Sequence, residues 1–435
     1  MKEICVGIIG FGTVGRGLAE TLRIQQERLE ARIGATIRLK TVADIACKSL
    51  PEEFAGVTLT QNATDIFTDP EIDIVVELIG GIEPAKTFLL QAIENGKHVI
   101  TANKALLSTH GKEIFEAAVA KNVEVGFEAS VGGGIPVIKA LKEGLVANRI
   151  NSIKGIMNGT ANYILSQMTE HGTPFAEVLK EAQELGFAEA DPTYDVEGVD
   201  TAHKLAILMT IAYGLNVNID HINIEGISSI EPVDIDIARE FGFAIKLLAI
   251  SNNHGDNVEA RVHPTMVPHS HMLATIGGAF NGIHFNGDTV TDVLLYGPGA
   301  GMMPTGSAVA ADVADIARNI LSDSVNRVPA LSYQPERMTA PVITPMSELV
   351  CAYYFRFTVS SEPGVLAAIA TILGKYNISV QSIVQKELGE DQPVYLVVRS
   401  HDAQESAVNA AMAEIRVLDA CLAEPLKIRI LGAND

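Results

Sequence analysis

Apolar residues at the start of the chain fall in short unbroken runs separated by mixed stretches. Residues 4–9 (ICVGII) form such a run, whose length suits a strand buried on both faces. Glycines follow at once, then a helical pattern over 14–30. Further buried strands are predicted at 37–43, 72–78 and 99–101, with helices between them. Strand and helix alternating in this way predict a parallel, doubly wound sheet. From about Gly134 the pattern becomes mixed. Helices are predicted at 137–145, 175–185 and 198–213, a strand at 152–157, and β-like segments near 222–231, 257–264, 282–284 and 289–296. A helix at 305–321 follows a glycine-rich turn and is expected to pack back on the first sheet. Residues 322–350 hold several prolines and little periodicity and read as a linker. Beyond it, strand 353–359, helix 364–376, strands 378–386 and 394–399, helix 403–417 and strand 426–431 give the ferredoxin-like order βαββαβ.

The expected fold class is therefore α/β in three parts. A Rossmann-like dinucleotide-binding domain takes 1–135, with the 301–321 helix returning to it. A mixed α/β catalytic and oligomerisation domain takes 136–300. The ferredoxin-like domain takes 351–432, after the 322–350 linker. The 435 residues suffice for this many domains.

Charge narrows the possible partners. The formal net charge of −21 argues against a nucleic-acid partner, which needs a basic face, and against adsorption to an anionic membrane. The longest helical apolar run, 205–215, is too short to span a bilayer, which takes about 20 residues. Lys2-Glu3 makes a poor signal-peptide start, and the apolar run leads into glycines rather than a cleavage site. Cys5, Cys47, Cys351 and Cys421 show no CxxC spacing and read as reduced thiols, so a cytoplasmic enzyme is expected.

The turn Gly10-Phe11-Gly12-Thr13-Val14-Gly15 fits GxGxxG between a predicted strand and a predicted helix, the context that binds a dinucleotide. Gly10 permits the tight turn, Gly12 the approach of the pyrophosphate, and Gly15 close helix packing. Helix N–H groups then face the phosphates. Asp44 ends the second strand, where a carboxylate accepts the ribose hydroxyls of NAD and repels a 2′-phosphate. Lys40 and Lys48 lie nearby and would favour NADP, so the choice of NAD or NADP stays open.

Three segments carry unusual polar residues. Thr101-Ala-Asn-Lys104 sits at a strand end bordering the cofactor crevice, which makes Lys104 a candidate. A lone lysine is otherwise a solvated charge. Glu128 precedes Val131-Gly-Gly133-Gly-Ile135-Pro, a glycine run that serves as a hinge or, with its exposed carbonyls and the Glu128 carboxylate, offers an all-oxygen set for a hard cation. The block from Gly186 through Glu189, Asp191, Asp195 and Asp200 to Lys204 holds five carboxylates before a lysine. Asp200 and Lys204 are four apart on one helix face. An exposed pair of that kind is unremarkable, but the helix continues into an apolar 205–211, so the pair is expected to face a cleft. His263, His269 and His271 lack metal-site spacing.

Taken together, these segments resemble the homoserine dehydrogenase family: GFGTVG at 10–15, TANK at 101–104, EASVGGGIP at 128–136, GIMNGTANYIL at 155–165, the block at 186–208, and YGPGAGMMPTGSAVAADV at 296–313. Residues 353–430 resemble an ACT domain, with Glu362-Pro-Gly-Val-Leu366 at its first helix. The resemblance implies reversible NAD(P)H-dependent reduction of L-aspartate 4-semialdehyde to L-homoserine, a step in threonine, methionine and isoleucine biosynthesis. It implies Lys204 as the acid/base, with Lys104 beside substrate and nicotinamide. Glu189, Asp195 and Asp200 would bind the substrate, and Gly186 and Gly301 would line the cofactor pocket. Glu128 with the carbonyls of Val131, Gly133 and Ile135 would hold a sodium-type cation. A homo-oligomer, dimer or tetramer, and threonine feedback through the ACT domain are further implications. Related ACT domains often place Asp where Ser361 stands. Serine can cap the helix but cannot pair with an ammonium. The rival readings are an oxidoreductase acting on another amino acid and a non-catalytic amino-acid sensor.

Overall fold

The apolar run at 4–9 becomes the strand Lys2–Ile9, buried from Ile4 onward. In the computed structural model, which describes residues 2–188, 191–387 and 393–432, it pairs in parallel with Ala35–Ala43 on one side and Ile74–Glu77 on the other. Thr58–Thr60 extends the sheet beyond Ala35–Ala43, and His98–Thr101 and Val125–Gly126 extend it beyond Ile74–Glu77, all in parallel. The strand order in chain numbering is thus 3-2-1-4-5-6. This is an α/β fold of the doubly wound kind, in which the strand order reverses between the first and fourth strands, all of them parallel.

The chain divides into two compact units. The first is 1–159, 200–222 and 279–341; the second is 160–199, 223–278 and 342–435. The division cuts across the three consecutive stretches expected from sequence. The first unit holds the six-stranded sheet together with the helix Met302–Leu321, whose Val309, Val313 and Ala317 join Ile4, Val6 and Leu18 in one core. That helix crosses Thr13–Ile24 where both carry glycine. A Cβ on Gly17 would lie 1.9 Å from the Met302 carbonyl oxygen. The first unit also contains antiparallel strands Ile150–Ile156, Phe280–Gly287 and Thr291–Pro298.

The second unit pairs Phe243–Asn252 antiparallel with Arg261–Pro268. It includes the expected ferredoxin-like domain, with strands Val350–Val359, Val380–Glu387, Val394–Ser400 and Leu426–Ile430 and helices Val365–Lys375 and Glu405–Arg416. Leu426–Ile430 pairs antiparallel with Val350–Val359 on one edge and parallel with Arg261–Pro268 on the other. Among the described residues no helix is long and apolar enough to cross a membrane.

Several expectations are corrected. The single helix at 14–30 breaks at Gln25 into Thr13–Ile24 and Gln26–Ile33. Only Asn223–Ile224 of the β-like 222–231 is strand, and a helix, Pro232–Glu240, follows. The helix expected at 137–145 winds as helix only over Val137–Lys139 before widening over Ala140–Gly144. Helix Gly159–His171 and strand Phe243–Asn252 were not read from the pattern. Ser361 does not cap its helix. Gly364, at φ +95°, occupies that position without a side-chain cap bond.

Two ion-pair networks, each with a buried arginine at its centre, fasten these strands within the second unit. Arg356 pairs with Asp234 at 2.8 Å and Glu231 at 2.8 Å, and the Tyr354 hydroxyl donates to Asp234 at 2.8 Å. Arg429 bridges Glu225 at 2.7 Å and Glu405 at 2.7 Å. Burial alone would raise the Glu405 carboxyl, but hydrogen bonding to Arg429 and the charges of Arg429 and Lys427 pull it down to about 2. Its free value is about 4.3, so this stabilisation is present above that pH and is lost as pH falls towards 2. At ~1.4 kcal/mol per unit it is on the order of 3 kcal/mol. We predict that Glu405→Gln flattens the fall in thermal midpoint between about pH 4.5 and 2.5. An unchanged acid limb would show that Glu405 does not govern it.

Candidate active site

The nucleotide turn forms at the point where strand order reverses. Gly10 adopts φ +99°, and its N–H donates to the Ala43 carbonyl at 2.8 Å. A Cβ on Gly15 would lie 2.2 Å from the Gly10 carbonyl oxygen, whereas a Cβ at exposed Gly12 would meet nothing within 4 Å. The turn is therefore closed on the helix side and open where a pyrophosphate must approach. Thr13 opens the following helix and Val14 is half-buried within it.

Asp44 stands at the strand end, but its carboxylate is tied to backbone. It accepts the N–H of Phe11 at 2.6 Å, Ala46 at 2.7 Å and Cys47 at 2.8 Å. Burial raises this carboxyl, and the three N–H bonds outweigh that and hold it below its ordinary value. Lys40 is engaged by Asp69 at 2.7 Å and Glu71 at 2.5 Å. Lys48 is exposed. Arg16, which the sequence reading passed over, donates to the Phe11 carbonyl at 3.1 Å and lies over the Phe11 ring at 5.8 Å.

The catalytic candidates meet within the first unit. Asn103 caps the helix Lys104–Lys121, accepting the Leu106 N–H at 3.1 Å, so Lys104 is the helix's first residue. Asp200 and Lys204 lie one turn apart on Val199–Tyr213, a helix apolar nearly all round, and both are buried, at 4% and 8% exposure. The Lys204 ammonium donates to Asp200 Oδ2 at 2.8 Å and to the Met157 carbonyl at 2.6 Å. Lys104 Nζ lies 3.2 Å from Asp200 Oδ1.

Asn158 donates to Asp200 Oδ2 at 2.8 Å, and Asn281 donates to the Met157 carbonyl at 3.0 Å. Sequence reasoning assigned neither asparagine, although Asn158 lies in the quoted GIMNGTANYIL segment. Burial pushes the Asp200 carboxyl up, but Lys204 foremost, then Lys104, outweigh it and hold the group well below the carboxylate range. Asp200 thus meets two cations of its own chain before any substrate ammonium. His203, beside the pair, hydrogen-bonds Ser108 through Nδ1 at 2.5 Å. Burial lowers its pKa, against the pull of Asp200.

Glu128 is buried, and its carboxylate accepts the N–H of Ile138 at 2.8 Å and Lys139 at 2.9 Å. The Ile135 carbonyl accepts from Val137 at 2.8 Å, and Val131 and Gly133 are buried in the same turn. The glycine run packs on the 298–301 turn, where a Cβ on Gly133 would lie 2.4 Å from the Gly299 carbonyl oxygen. Gly301, at φ +123°, precedes the helix Met302–Leu321. Gly186, at φ +77°, and Asp195, on the short helix Thr193–Val196, belong to the second unit. Glu189 lies outside the described residues. In the second unit, His263 is buried and bonded to Thr265, while His271 caps the turn Met272–Thr275. Among the described residues no group of three or more His, Cys, Asp or Glu could hold a metal ion.

Family models described as the homoserine dehydrogenase NAD-binding domain, homoserine dehydrogenase and the ACT domain match residues 10–128, 136–314 and 353–420. The chain is 45% identical to a homoserine dehydrogenase of Neisseria gonorrhoeae over 100% of both chains. It is 46% identical to that of Pseudomonas aeruginosa, again over 100% of both. A crystal structure of a homoserine dehydrogenase from Thiobacillus denitrificans superposes with a TM-score of 0.93 at 48% identity, covering 99% of each chain.

Asp200→Asn would keep the shape of the cluster and remove the charge between the two ammoniums. We predict a fall in kcat/KM of roughly 10²-fold, the cost of displacing reacting groups by about an ångström. Steady-state kinetics on the folded variant checks this. A change within twofold would show that the lysines keep their places without the carboxylate.

Proposed function

The chain belongs to the homoserine dehydrogenase family and carries its NAD(P)-dependent oxidoreductase activity, and from that premise we propose that Lys204 moves the proton of the reaction. An ammonium has three N–H donors. Lys204 commits two, to Met157 and Asp200, and the third is left for the oxygen of L-aspartate 4-semialdehyde. In reduction Lys204 gives this oxygen a proton as the alcohol of L-homoserine forms, and in oxidation the neutral amine takes the hydroxyl proton back. When bound, NAD(P)H supplies the hydride to the carbonyl carbon. The open face at Gly12 suits its pyrophosphate, with Phe11, Thr13, Val14 and the rest of the 10–15 turn around it. Lys104 stands beside substrate and nicotinamide. Glu189, Asp195 and Asp200 serve the substrate's polar groups, and Gly186 and Gly301 the cofactor. Asp44 contacts the adenosine ribose with the lone pairs its backbone bonds leave, and the choice between NAD and NADP rests on that contact.

A sodium-type cation fits the donor set of Glu128 and the carbonyls of Val131, Gly133 and Ile135. The buried Glu128 carboxylate is bonded by backbone N–H groups, so a cation would offset the charge that burial penalises. Its part there is to hold the hinge. The reading extends to a homo-oligomer, dimer or tetramer, supported by exposed Tyr296 stacked on exposed Phe280 at 5.3 Å. It extends also to a cytoplasmic site of action, which the four unpaired cysteines suit.

The observation that carries the reading is the buried Lys204–Asp200 pair with the half-buried Lys104 beside it. We predict that Lys204→Ala lowers kcat by about 10²–10⁴-fold while NADPH still binds. Homoserine oxidation followed at the nicotinamide absorbance, with NAD and NADP side by side, measures the first, and fluorescence titration the second. Near-wild-type turnover would exclude the acid/base role.

The ACT domain is the place proposed for threonine, near exposed Ser361. Threonine is expected to lower activity in the intact enzyme, and Ser361→Trp, which fills that turn, to abolish the inhibition with basal turnover unchanged. Equal inhibition of both proteins would place the effector elsewhere.

A further inference from the structure

The turn that carries Lys104 is held by a buried carboxylate that the reaction itself does not use. Glu77 ends the fourth strand of the parallel sheet and is 0% exposed. Its Oε1 accepts the N–H groups of Ile79 at 2.8 Å and Gly80 at 3.2 Å, and its Oε2 accepts the Thr101 hydroxyl at 2.6 Å. Thr101 Oγ1 in turn accepts the Asn103 N–H at 3.0 Å, and Asn103 caps the helix that Lys104 begins. The Asn103 amide closes the ring by donating to the Gly81 carbonyl at 2.5 Å. On its other side the 78–81 loop abuts the nucleotide turn, since a Cβ on Gly10 would lie 2.8 Å from the Leu78 carbonyl oxygen.

Three donors converge on Glu77, and a side-chain carboxylate accepts all of them with both oxygens. Glutamine would turn a donor towards Thr101, and an apolar residue would leave the three donors unpaired, at a cost per group of about 1–3 kcal/mol. Burial raises the carboxyl, and the bonds from Thr101, Ile79 and Gly80 are the foremost that oppose that rise.

We propose that Glu77, acting through Thr101, is a positioning residue that locks the loop beside the nucleotide turn to the turn bearing Lys104, so that cofactor and Lys104 share one register. The inference rests on Lys104 belonging to the active site, which Lys104→Ala tests separately.

Thr101→Val keeps the β-branched shape and deletes the hydroxyl, while Thr101→Ser keeps the hydroxyl. The experiment measures kcat and KM for homoserine, NADPH affinity by fluorescence titration, and the thermal midpoint of each variant. Thr101→Val is expected to lower kcat/KM for homoserine about 10- to 100-fold, with NADPH affinity within about threefold of wild type. Thr101→Ser is expected to restore kcat/KM to within about threefold. Glu77→Gln, which breaks the bond from the other end, is expected to reproduce the valine defect and stands in for it should that variant fold poorly. Three results would overturn the proposal. One is wild-type kcat/KM in both Thr101→Val and Glu77→Gln. Another is failure of serine to restore activity. The third is a loss that follows only the folded fraction. Wild-type kcat/KM in Lys104→Ala would instead remove the premise. Loss in Lys104→Ala with wild-type behaviour in Thr101→Val and Glu77→Gln would refute the Glu77 lock alone.

Discussion

One buried carboxylate organises the proposed reactive centre. A carboxylate as enclosed as Asp200 is costly unless its charge and lone pairs are met. Here two ammoniums and an amide meet them, at 2.8, 3.2 and 2.8 Å. The arrangement constrains everything around it. Lys204 must share a helix face with Asp200, so their helix enters the core and is apolar elsewhere. Lys104 must arrive from the sheet, so its helix begins directly at a strand end, under the Asn103 cap. Lys104, Lys204 and Asp200 together leave one net positive charge. That favours an electron-rich carbonyl oxygen or an alkoxide developing beside it.

The same constraint separates what was legible in the sequence from what was not. The glycine turn and its flanking strand and helix could be read because their determinants lie within a few residues of one another. The Asp200–Lys204 pair was legible for the same reason, through its i,i+4 spacing. Lys104 was singled out only because it ends a strand. Its distance from Asp200 spans nearly a hundred positions, and no local pattern encodes that. Asn158, Asn281 and Glu77 were missed because their partners lie 42, 124 and 24 residues away. Lys40 is the complementary case, a strand residue whose engagement by Asp69 and Glu71, on a loop far along the chain, no local pattern reports.

Missed elements have their own causes. Phe243–Asn252 carries a lysine, Lys246, in mid-strand. That residue is buried, with its ammonium on the Ile276 carbonyl at 2.6 Å, so polarity along the chain did not report exposure. Pro232–Glu240 carried a real signal, proline at its first position and a capping box between Glu231 and Asp234. The apolar content of the preceding residues pointed to strand instead, and only Asn223–Ile224 fulfilled it.

The ACT domain is built into the second unit rather than hung on a tether. Leu426–Ile430 is hydrogen-bonded along both edges, and Arg429 on that strand holds Glu405 of the ACT helix and Glu225 beyond it. From Glu225 the path to Val196 and Glu197 of the same unit is short. The Ile227 N–H donates to the Val196 carbonyl at 2.9 Å, and Ser228 donates to Glu197 at 2.8 Å. An effector shifts an equilibrium only through contacts that differ between two states, and Arg429 is where the ACT helix and residues outside the domain share a contact. It also follows that cutting away the domain is a poor probe of regulation. The cut would bare one edge of Arg261–Pro268 and strip the buried Asp234 of its arginine. The loss of activity that followed would report unpaired buried charge as readily as a missing signal.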